Sequence, residues 1–284
     1  MFLARQPGPH LAQAAYRVYF LPGSGCRGLA PIADRYFQGL RAAEVVVVHK
    51  RHVDPAQWPG PDDCAERFVA HDNLRAWARD AQAFIQWHLR AHPLAPEQRA
   101  VLVGSSEGAE LLPSLAPSLP PASPLVLIGS TGLDPLMALR QQAQRLGAPK
   151  FVDQMMALTQ DGTVPDGARF AGRSVGYWRS LSGWALADPL LQLPNPVWLA
   201  FGAADGAVPL AGLKEFARRA QAAERPVCVV VFPEADHGLQ RVGADEVQRL
   251  WGWVEAAVLA PTPGPTPCGP GLPEDVRSAL GPPG

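Results

Sequence analysis

The chain has 284 residues, of which 47% are apolar, and its formal net charge at pH 7 is -1. This length suits one large α/β domain with an insertion, or two small domains, and the composition allows a sizeable core. Balanced charge and scattered Lys and Arg residues argue against nucleic acid and against a membrane surface as partners. No apolar stretch approaches the roughly 18 residues of a membrane span, and we see no secretory signal pattern. We therefore expect a cytoplasmic protein that acts on a small molecule, in an oligomeric state that the sequence leaves open.

The four cysteines, Cys26, Cys64, Cys228 and Cys268, show no CxxC spacing and no histidine-rich partner segment. This pattern predicts neither a metal site nor a dense disulfide framework. A single bridge between Cys26 and Cys64 remains open. Cys228 lies in an apolar run, where we expect a small, buried core residue.

Strand and helix signals alternate along the chain. In chain order they predict a strand at Tyr16–Leu21, a helix at Leu29–Leu40, a strand at Glu44–His49, a helix capped by Asp72, strands at Ala100–Gly104, Leu125–Gly129 and Val197–Gly202, a helix at Leu210–Ala223, a strand at Val227–Phe232 and a helix at Ala244–Val258. Several strands are continuous apolar runs, as expected when helices cover both faces of a sheet. The alternation predicts an α/β fold with a doubly wound, mostly parallel sheet.

Two segments interrupt this alternation. Residues 131–190, between the fourth and fifth strands, contain no convincing strand and predict a helical cap. Its three helical pieces are Leu136–Leu146, Phe151–Thr159 and Val175–Leu186. Residues 261–284 are dominated by Pro and Gly and predict a disordered tail. The α/β core would then comprise residues 1–130 and 191–260.

A candidate nucleophile follows the third predicted strand. Gly104-Ser105-Ser106-Glu107-Gly108 fits G-x-S-x-G, with Ser106 at its centre. The pattern is weak alone, but an apolar strand precedes it and a helix-compatible run follows, which is the context that a strained strand-to-helix turn requires. Ser105, at the first variable position, is expected to point away from the pocket.

A base and an acid for this serine follow the last two predicted strands. Of the seven histidines, His237 alone lies in a small polar loop directly after the last strand, where the fold would place a base. Asp205 lies in a Gly-rich turn after the fifth strand and is the candidate carboxylate that orients the base. Asp236 is too close in sequence to reach His237 well, and Asp188 is the more serious alternative. The order Ser, Asp, His predicts a triad of Ser106, Asp205 and His237 at the carboxyl edge of the sheet.

An acyl-transfer site also needs amide donors for the oxyanion. The N–H of Glu107, the residue after the nucleophile, is one candidate. The loop after the first predicted strand should supply the other, with Ser24 as first choice and Gly25 as second. This loop lacks the ending of a P-loop and the pattern of a dinucleotide-binding loop, so nucleotide binding is not indicated.

Taken together, the PGSG, GSSEGA, FGAADGAVP and ADHGL motifs make residues 16–258 similar to the α/β-hydrolase superfamily. The chain resembles small bacterial carboxylesterases, dienelactone-hydrolase-like proteins and prolyl-oligopeptidase-like hydrolases. The resemblance implies a central sheet with flanking helices, a lid and no cofactor. Three features depart from the family pattern: Pro22-Gly23 replaces the customary His-Gly, Pro113 should kink or shorten the helix after the nucleophile, and the first two strands of the full fold are not predicted.

The cap is rich in apolar residues that could line an acyl pocket, and we select Trp178, Met155 and Trp184 as substrate-binding candidates. The carboxylate of Glu107 beside the serine is expected to disfavour anionic substrates. These features predict a serine hydrolase that cleaves a carboxylic ester of a small to medium hydrophobic substrate. The alternatives are a catalytically silent ligand-binding protein with this fold, or an acyltransferase or peptidase with the same triad.

Overall fold

The computed structural model describes residues 2–6, 13–60 and 62–260. The expected Pro/Gly-rich tail, residues 261–284, lies outside the described residues. Over the described ranges, none of the helices combines the length and the apolarity required to cross a membrane.

A seven-stranded sheet forms the centre of the fold, in the order β1-β3-β2-β4-β5-β8-β9. Its strands are β1 (Phe2–Arg5), β2 (Tyr16–Leu21), β3 (Ala43–Val48), β4 (Arg99–Ser105), β5 (Leu125–Ile128), β8 (Val197–Gly202) and β9 (Val227–Phe232). All neighbours in the sheet are parallel except β1, which runs antiparallel to β3. The predicted doubly wound, mostly parallel sheet is confirmed, and each of the six predicted strands is present to within one residue at each end.

Strand β1 was not predicted, and its presence corrects the expectation that the sheet begins at Tyr16. Its four residues pair with Val45–Val48 of β3 at the edge of the sheet. They alternate between exposed and half-buried positions. Such a short, half-exposed segment carries little strand signal of its own, and its order depends on pairing with β3.

Helices cover both faces of the sheet. They are α1 (Ala33–Tyr36), α2 (Glu66–His71), α3 (Leu74–Ala91), α4 (Leu112–Leu115), α5 (Pro135–Arg145), α6 (Pro149–Gln160), α7 (Val175–Ser182), α8 (Ala187–Gln192), α9 (Leu210–Ala222) and α10 (Glu246–Leu259). Alternate strand residues serve the two cores: Tyr19 packs with α3 and α9, while Val18 packs with α1 and α10. This division follows from the two-residue period of a strand.

Two predicted helices differ from those observed. Helix α3 begins after Asn73, whose side chain accepts a hydrogen bond from the N–H of Ala76 at 3.1 Å, so Asn73 is the cap. Asp72, the predicted cap, is committed to ion pairs described below. The predicted Leu29–Leu40 helix is only a 3₁₀ turn at Ala30–Ile32 followed by α1.

The segment between β5 and β8 is helical, as expected, and contains α5 to α8. The predicted third piece, Val175–Leu186, is shorter than expected, because α7 ends at Ser182, and a separate helix, α8, starts at Ala187. A hairpin with two-residue strands, β6 (Arg169–Phe170) and β7 (Arg173–Ser174), precedes α7 and was not predicted. Two-residue strands fall below the length at which alternation can be recognised in a sequence.

Cys26 and Cys64 form a disulfide with a Cα–Cα distance of 5.6 Å. The bond joins the loop after β2 to the segment that precedes α2. Disulfides are uncommon in cytosolic proteins, so this bond argues against the cytoplasmic location that the sequence suggests. Cys228 lies buried in β9, as predicted.

Candidate active site

Ser106 lies at a sharp turn between β4 and a 3₁₀ helix, Ser106–Leu111. Its φ of 51° is in the left-handed region, where a non-glycine residue is strained. The flanking glycines allow the turn: a Cβ on Gly104 would lie 2.5 Å from the Cα of Ala109, and one on Gly108 would lie 2.2 Å from the carbonyl oxygen of Leu21. The strained turn holds the serine at the carboxyl edge of the sheet.

The helix after this turn is short, as the position of Pro113 predicts. The 3₁₀ segment passes into α4, which has Pro113 in its first turn and spans only Leu112–Leu115. Ser105, the neighbouring residue, lies near Tyr36 on the other face of the sheet. Burial raises the pKa of Tyr36, and Ser105 partly opposes that rise. Ser105 therefore faces away from Ser106.

His237 and Asp205 are in direct contact. The Nδ1 of His237 lies 2.7 Å from Oδ2 of Asp205. The other carboxylate oxygen of Asp205 accepts hydrogen bonds from the backbone N–H groups of Ala207 and Val208, at 2.7 and 2.8 Å. The carboxylate is 1% exposed, whereas the imidazole is 33% exposed. Asp205 is thus fixed by its own turn and fixes the orientation of the histidine in front of it.

The two alternative acids have other positions. Asp236 accepts hydrogen bonds from the N–H groups of Gly238 and Gln240, and so stabilises its own turn. Asp188 lies in the first turn of α8. Of the three aspartates, the structure brings Asp205 to His237.

A cavity of about 320 Å³ opens at Ser106. Gly129 lines the same cavity, and a Cβ built on Gly129 would lie 3.0 Å from Cε1 of His237. Gly129 has a φ of 62°, so its backbone also favours glycine. His237 thus lies behind Gly129, which lines the cavity into which Ser106 opens, but His237 does not itself line that cavity.

Two of the three predicted oxyanion residues lie beside Ser106. Ser24 and Glu107 both line the cavity with Ser106. The loop of Ser24 approaches closely, since a Cβ on Gly23 would be 3.4 Å from the Cβ of Ser106. Gly25 has a φ of 94° and shapes the turn of this loop, but it does not line the cavity.

Solved structures with the same architecture include several hydrolases. Est1E from Butyrivibrio proteoclasticus is 13% identical, with a TM-score of 0.56 over 91% of this chain and 92% of that chain. The esterase domain of a Rhodothermus marinus protein is 18% identical, with a TM-score of 0.52 over 90% of each chain. A puromycin-hydrolyzing peptidase from Mycobacterium tuberculosis is 15% identical, with a TM-score of 0.59 over 90% of this chain and 36% of that chain.

The chain has the α/β-hydrolase fold. The resemblance found in its sequence motifs is thereby supported at the level of structure. No protein family matches the sequence, and no curated protein matches it.

Within this fold, the three substrate-binding candidates lie in different places. Trp178 lines the cavity, and its indole N–H donates to the carbonyl of Phe170 at 2.9 Å. Met155 is fully buried in the core and does not line the cavity. Trp184 also lies outside the cavity lining, and its indole N–H donates to the carbonyl of Glu110 at 2.7 Å. Helical spacing alone did not separate core residues from lining residues.

The sequence analysis missed an ion cluster beside Ser106. The ammonium of Lys50 lies 2.8 Å from Oδ1 of Asp72 and 2.6 Å from Oε1 of Glu107. The guanidinium of Arg173 pairs with Asp72 and lies 3.9 Å from the second oxygen of Glu107. The side chains of Lys50, Asp72 and Glu107 are at most 6% exposed. We call Lys50, Asp72, Glu107 and Arg173 the ion cluster. The position of Lys50 just after a buried strand was its only sequence signal.

Glu110 is a second residue that the sequence analysis missed. It lines the cavity, and its Oε2 is buried without a hydrogen-bond partner among the residues that the structure describes. Burial raises the pKa of Glu110 well above its ordinary value, and the nearby carboxylates of Glu107 and Asp134 raise it further. A helix-compatible run after the serine gave no sign of this environment.

Proposed function

We propose that this chain is a serine hydrolase that cleaves carboxylic esters with Ser106 as nucleophile, His237 as base and Asp205 as the residue that orients the base. The observation that carries the proposal is the fixed pair of Asp205 and His237, 2.7 Å apart, next to Gly129 of the cavity into which the strained Ser106 opens. A serine hydroxyl is a weak nucleophile until an oriented base accepts its proton.

The proposed reaction has two halves. His237 accepts the proton of Ser106 while the serine oxygen attacks the ester carbonyl, and the imidazolium then gives that proton to the departing alcohol. Water, deprotonated by the same histidine, attacks the acyl-enzyme and releases the carboxylic acid and the free serine. Asp205 stays ionised throughout, because its role is to hold the imidazole tautomer and to stabilise the imidazolium.

The tetrahedral intermediates need donors for their negative oxygen. We assign the backbone N–H of Glu107 as one donor and the loop of Ser24 as the source of the other. The first assignment is supported by the side chain of Glu107, which the ammonium of Lys50 holds at 2.6 Å. This contact fixes the residue whose N–H would face the oxyanion.

The walls of the cavity support a small to medium, largely apolar substrate. Apolar side chains form much of the lining, including Leu139, Phe151, Tyr177, Trp178 and Leu181. A volume of about 320 Å³ lies at the small end of the range for ligand pockets.

The first experiment is labelling with a fluorophosphonate, which reacts with activated serines. We expect the full chain to be labelled, Ser106→Ala to be unlabelled and His237→Ala to be labelled far more slowly. Ser105→Ala is the matched control, because that hydroxyl faces Tyr36 and should leave labelling intact. Hydrolysis of p-nitrophenyl esters of increasing acyl length then tests the preference for esters.

Two results would contradict this proposal. Absence of labelling in a folded wild-type protein would favour a ligand-binding protein that lacks hydrolytic chemistry. Labelling without turnover of any ester, together with release of an amine from acyl-amide substrates, would keep Ser106 and replace the ester substrate by an amide.

A further inference from the structure

Glu110 lies in the cavity wall, and one oxygen of its carboxyl has no hydrogen-bond partner among the residues that the structure describes. Its Oε2 is buried and unpaired among the described residues, and its side chain lines the same cavity as Ser106. A buried carboxyl without a partner is unfavourable for the free protein, and such groups call for an explanation. The explanation that fits a cavity wall is a partner supplied by the ligand.

The neighbouring charges do not provide that partner. In the ion cluster, the two cations Lys50 and Arg173 face the two carboxylates Asp72 and Glu107, so its formal charges cancel. Asp134, the other acid that acts on Glu110, accepts hydrogen bonds from the backbone N–H groups of Leu186 and Ala187. An ionised Glu110 would therefore give this end of the cavity a net negative charge.

Aromatic rings line the cavity close to these charges. Phe151, Tyr177 and Trp178 all contribute to its walls, and the Arg173 guanidinium already lies 4.6 Å from the ring centre of Tyr177. Aromatic faces attract cations because of their negative quadrupole. A ligand cation beside Glu110 would meet a carboxylate and aromatic side chains at once.

We infer that Glu110 binds a protonated amine on the substrate, so that the esters cleaved at Ser106 carry an ammonium group on an otherwise apolar chain. This inference rests on the proposed hydrolase function and names the substrate class for it. The ammonium supplies a positive charge that the neutral ion cluster does not provide, and pairs with the carboxylate of Glu110, whose side chain lines the cavity. An anionic substrate would meet Glu110 and Glu107, while Arg173, which also lines the cavity, is already paired with Asp72.

Binding of the ammonium has a defined proton balance. In the free protein, burial raises the pKa of Glu110 well above its ordinary value and so favours its protonated form. When the ammonium enters, Glu110 ionises, its proton passes to the buffer, and a carboxylate–ammonium pair remains in the cavity. The heat of binding must then depend on the ionisation enthalpy of the buffer.

The experiment is titration calorimetry with the Ser106→Ala protein, which separates binding from turnover. The probes are pentylammonium and 1-pentanol, which share an apolar chain and differ in the charge of the head group, with pentanoate as the anionic counterpart. We expect pentylammonium to bind roughly tenfold or more tightly than 1-pentanol, as a charge-assisted hydrogen bond would give. Adding Glu110→Gln should reduce that ratio to about one, whereas Glu97→Gln, an exposed carboxyl, should preserve it.

Each outcome decides the inference. Equal binding of the amine and the alcohol, tighter binding of pentanoate, or an amine preference that survives Glu110→Gln would overturn it. Proton release on amine binding to the protein with Glu110 intact supports it independently, should the glutamine variant fail to fold. Failure of the proposed function is distinguishable, because it would appear as absent fluorophosphonate labelling and absent ester turnover whatever the calorimetry shows.

Discussion

Replacing Lys50 with methionine removes the buried cation of the ion cluster while keeping a side chain of similar length. The Lys50 side chain is 5% exposed, and its ammonium touches carboxylates of Asp72 and Glu107 that are 1% and 6% exposed. It also lies 4.8 Å from the ring centre of Trp77. Methionine retains the apolar contact and leaves both carboxylates with Arg173 as the remaining cation of the cluster.

The magnitude follows from burial. Removing one partner of a buried ion pair costs about 3–5 kcal/mol, because the partner charge stays buried without compensation. The remaining contacts of Arg173 with Asp72 and Glu107 place our expectation at the lower end, about 3 kcal/mol. Met should retain most of the dispersion contacts of the stem, so the loss reports on charge rather than on a cavity.

The assay is equilibrium unfolding in urea, which yields the free energy of unfolding. Arg51→Met is the matched control, because Arg51 is the adjacent residue and pairs with Asp80 at the surface, with side chains 52% and 32% exposed. Exposed pairs contribute about 1 kcal/mol or less, so this variant should be nearly unchanged. Adding Glu107→Gln to Lys50→Met should recover part of the loss. If Lys50→Met destabilises no more than Arg51→Met, our description of the ion cluster is mistaken.

The remaining predictions concern the disulfide and two carboxyls. Replacing Cys26 and Cys64 by serine should lower the free energy of unfolding by about 3–4 kcal/mol for a separation of 38 residues, and a urea midpoint unchanged in oxidising buffer would refute this. Because folding raises the pKa of Glu110, the folded state holds a proton that the unfolded state releases, so stability should fall as pH rises above the ordinary carboxyl range. We expect the free energy of unfolding, measured in urea at about pH 5 and pH 8, to fall less with pH in Glu110→Gln than in the wild type. An equal fall in both proteins would exclude a buried carboxyl at this position. Asp205→Asn should reduce kcat for an ester by about 10⁴-fold with little change in fold, since an amide facing Nδ1 of His237 selects the wrong tautomer, and a loss below about tenfold would exclude the orienting role.

The parallel part of the sheet was predictable because its strands are buried on both faces. The apolar runs of β2, β8 and β9 have the length of buried strands, and the predicted ends match those observed. Strand β1 was missed because residues distant in the sequence order it, through its pairing with β3 and the packing of Phe2 on Phe84 of α3. The cap of α3 was placed one residue early, because Asp72 and Asn73 are equally good capping residues and only the ion cluster distinguishes them.

The candidate site likewise contains residues that local sequence patterns select and residues that they do not. Ser106, Asp205 and His237 each lie in a loop after a strand, so local patterns and the rule that parallel strands end at one edge were sufficient to select them. The ion cluster joins Lys50 to residues 22 and 57 positions away, and no local pattern marks such a pairing. The burial of Glu110 could not be predicted for a related reason, since its environment depends on how the cap packs over the turn at Ser106.

The ion cluster links the nucleophile turn to the helical segment above it. If the N–H of Glu107 faces an oxyanion, its side chain must turn into the protein, where a carboxylate requires the ammonium of Lys50. Lys50 also holds Asp72, and Asp72 in turn binds Arg173 from the β6–β7 hairpin. Movement of that hairpin away from the core would leave two buried carboxylates to a single cation. Because burial of an unpaired charge is costly, the same contacts that hold the side chain of Glu107 also oppose displacement of the cavity wall that Arg173 lines.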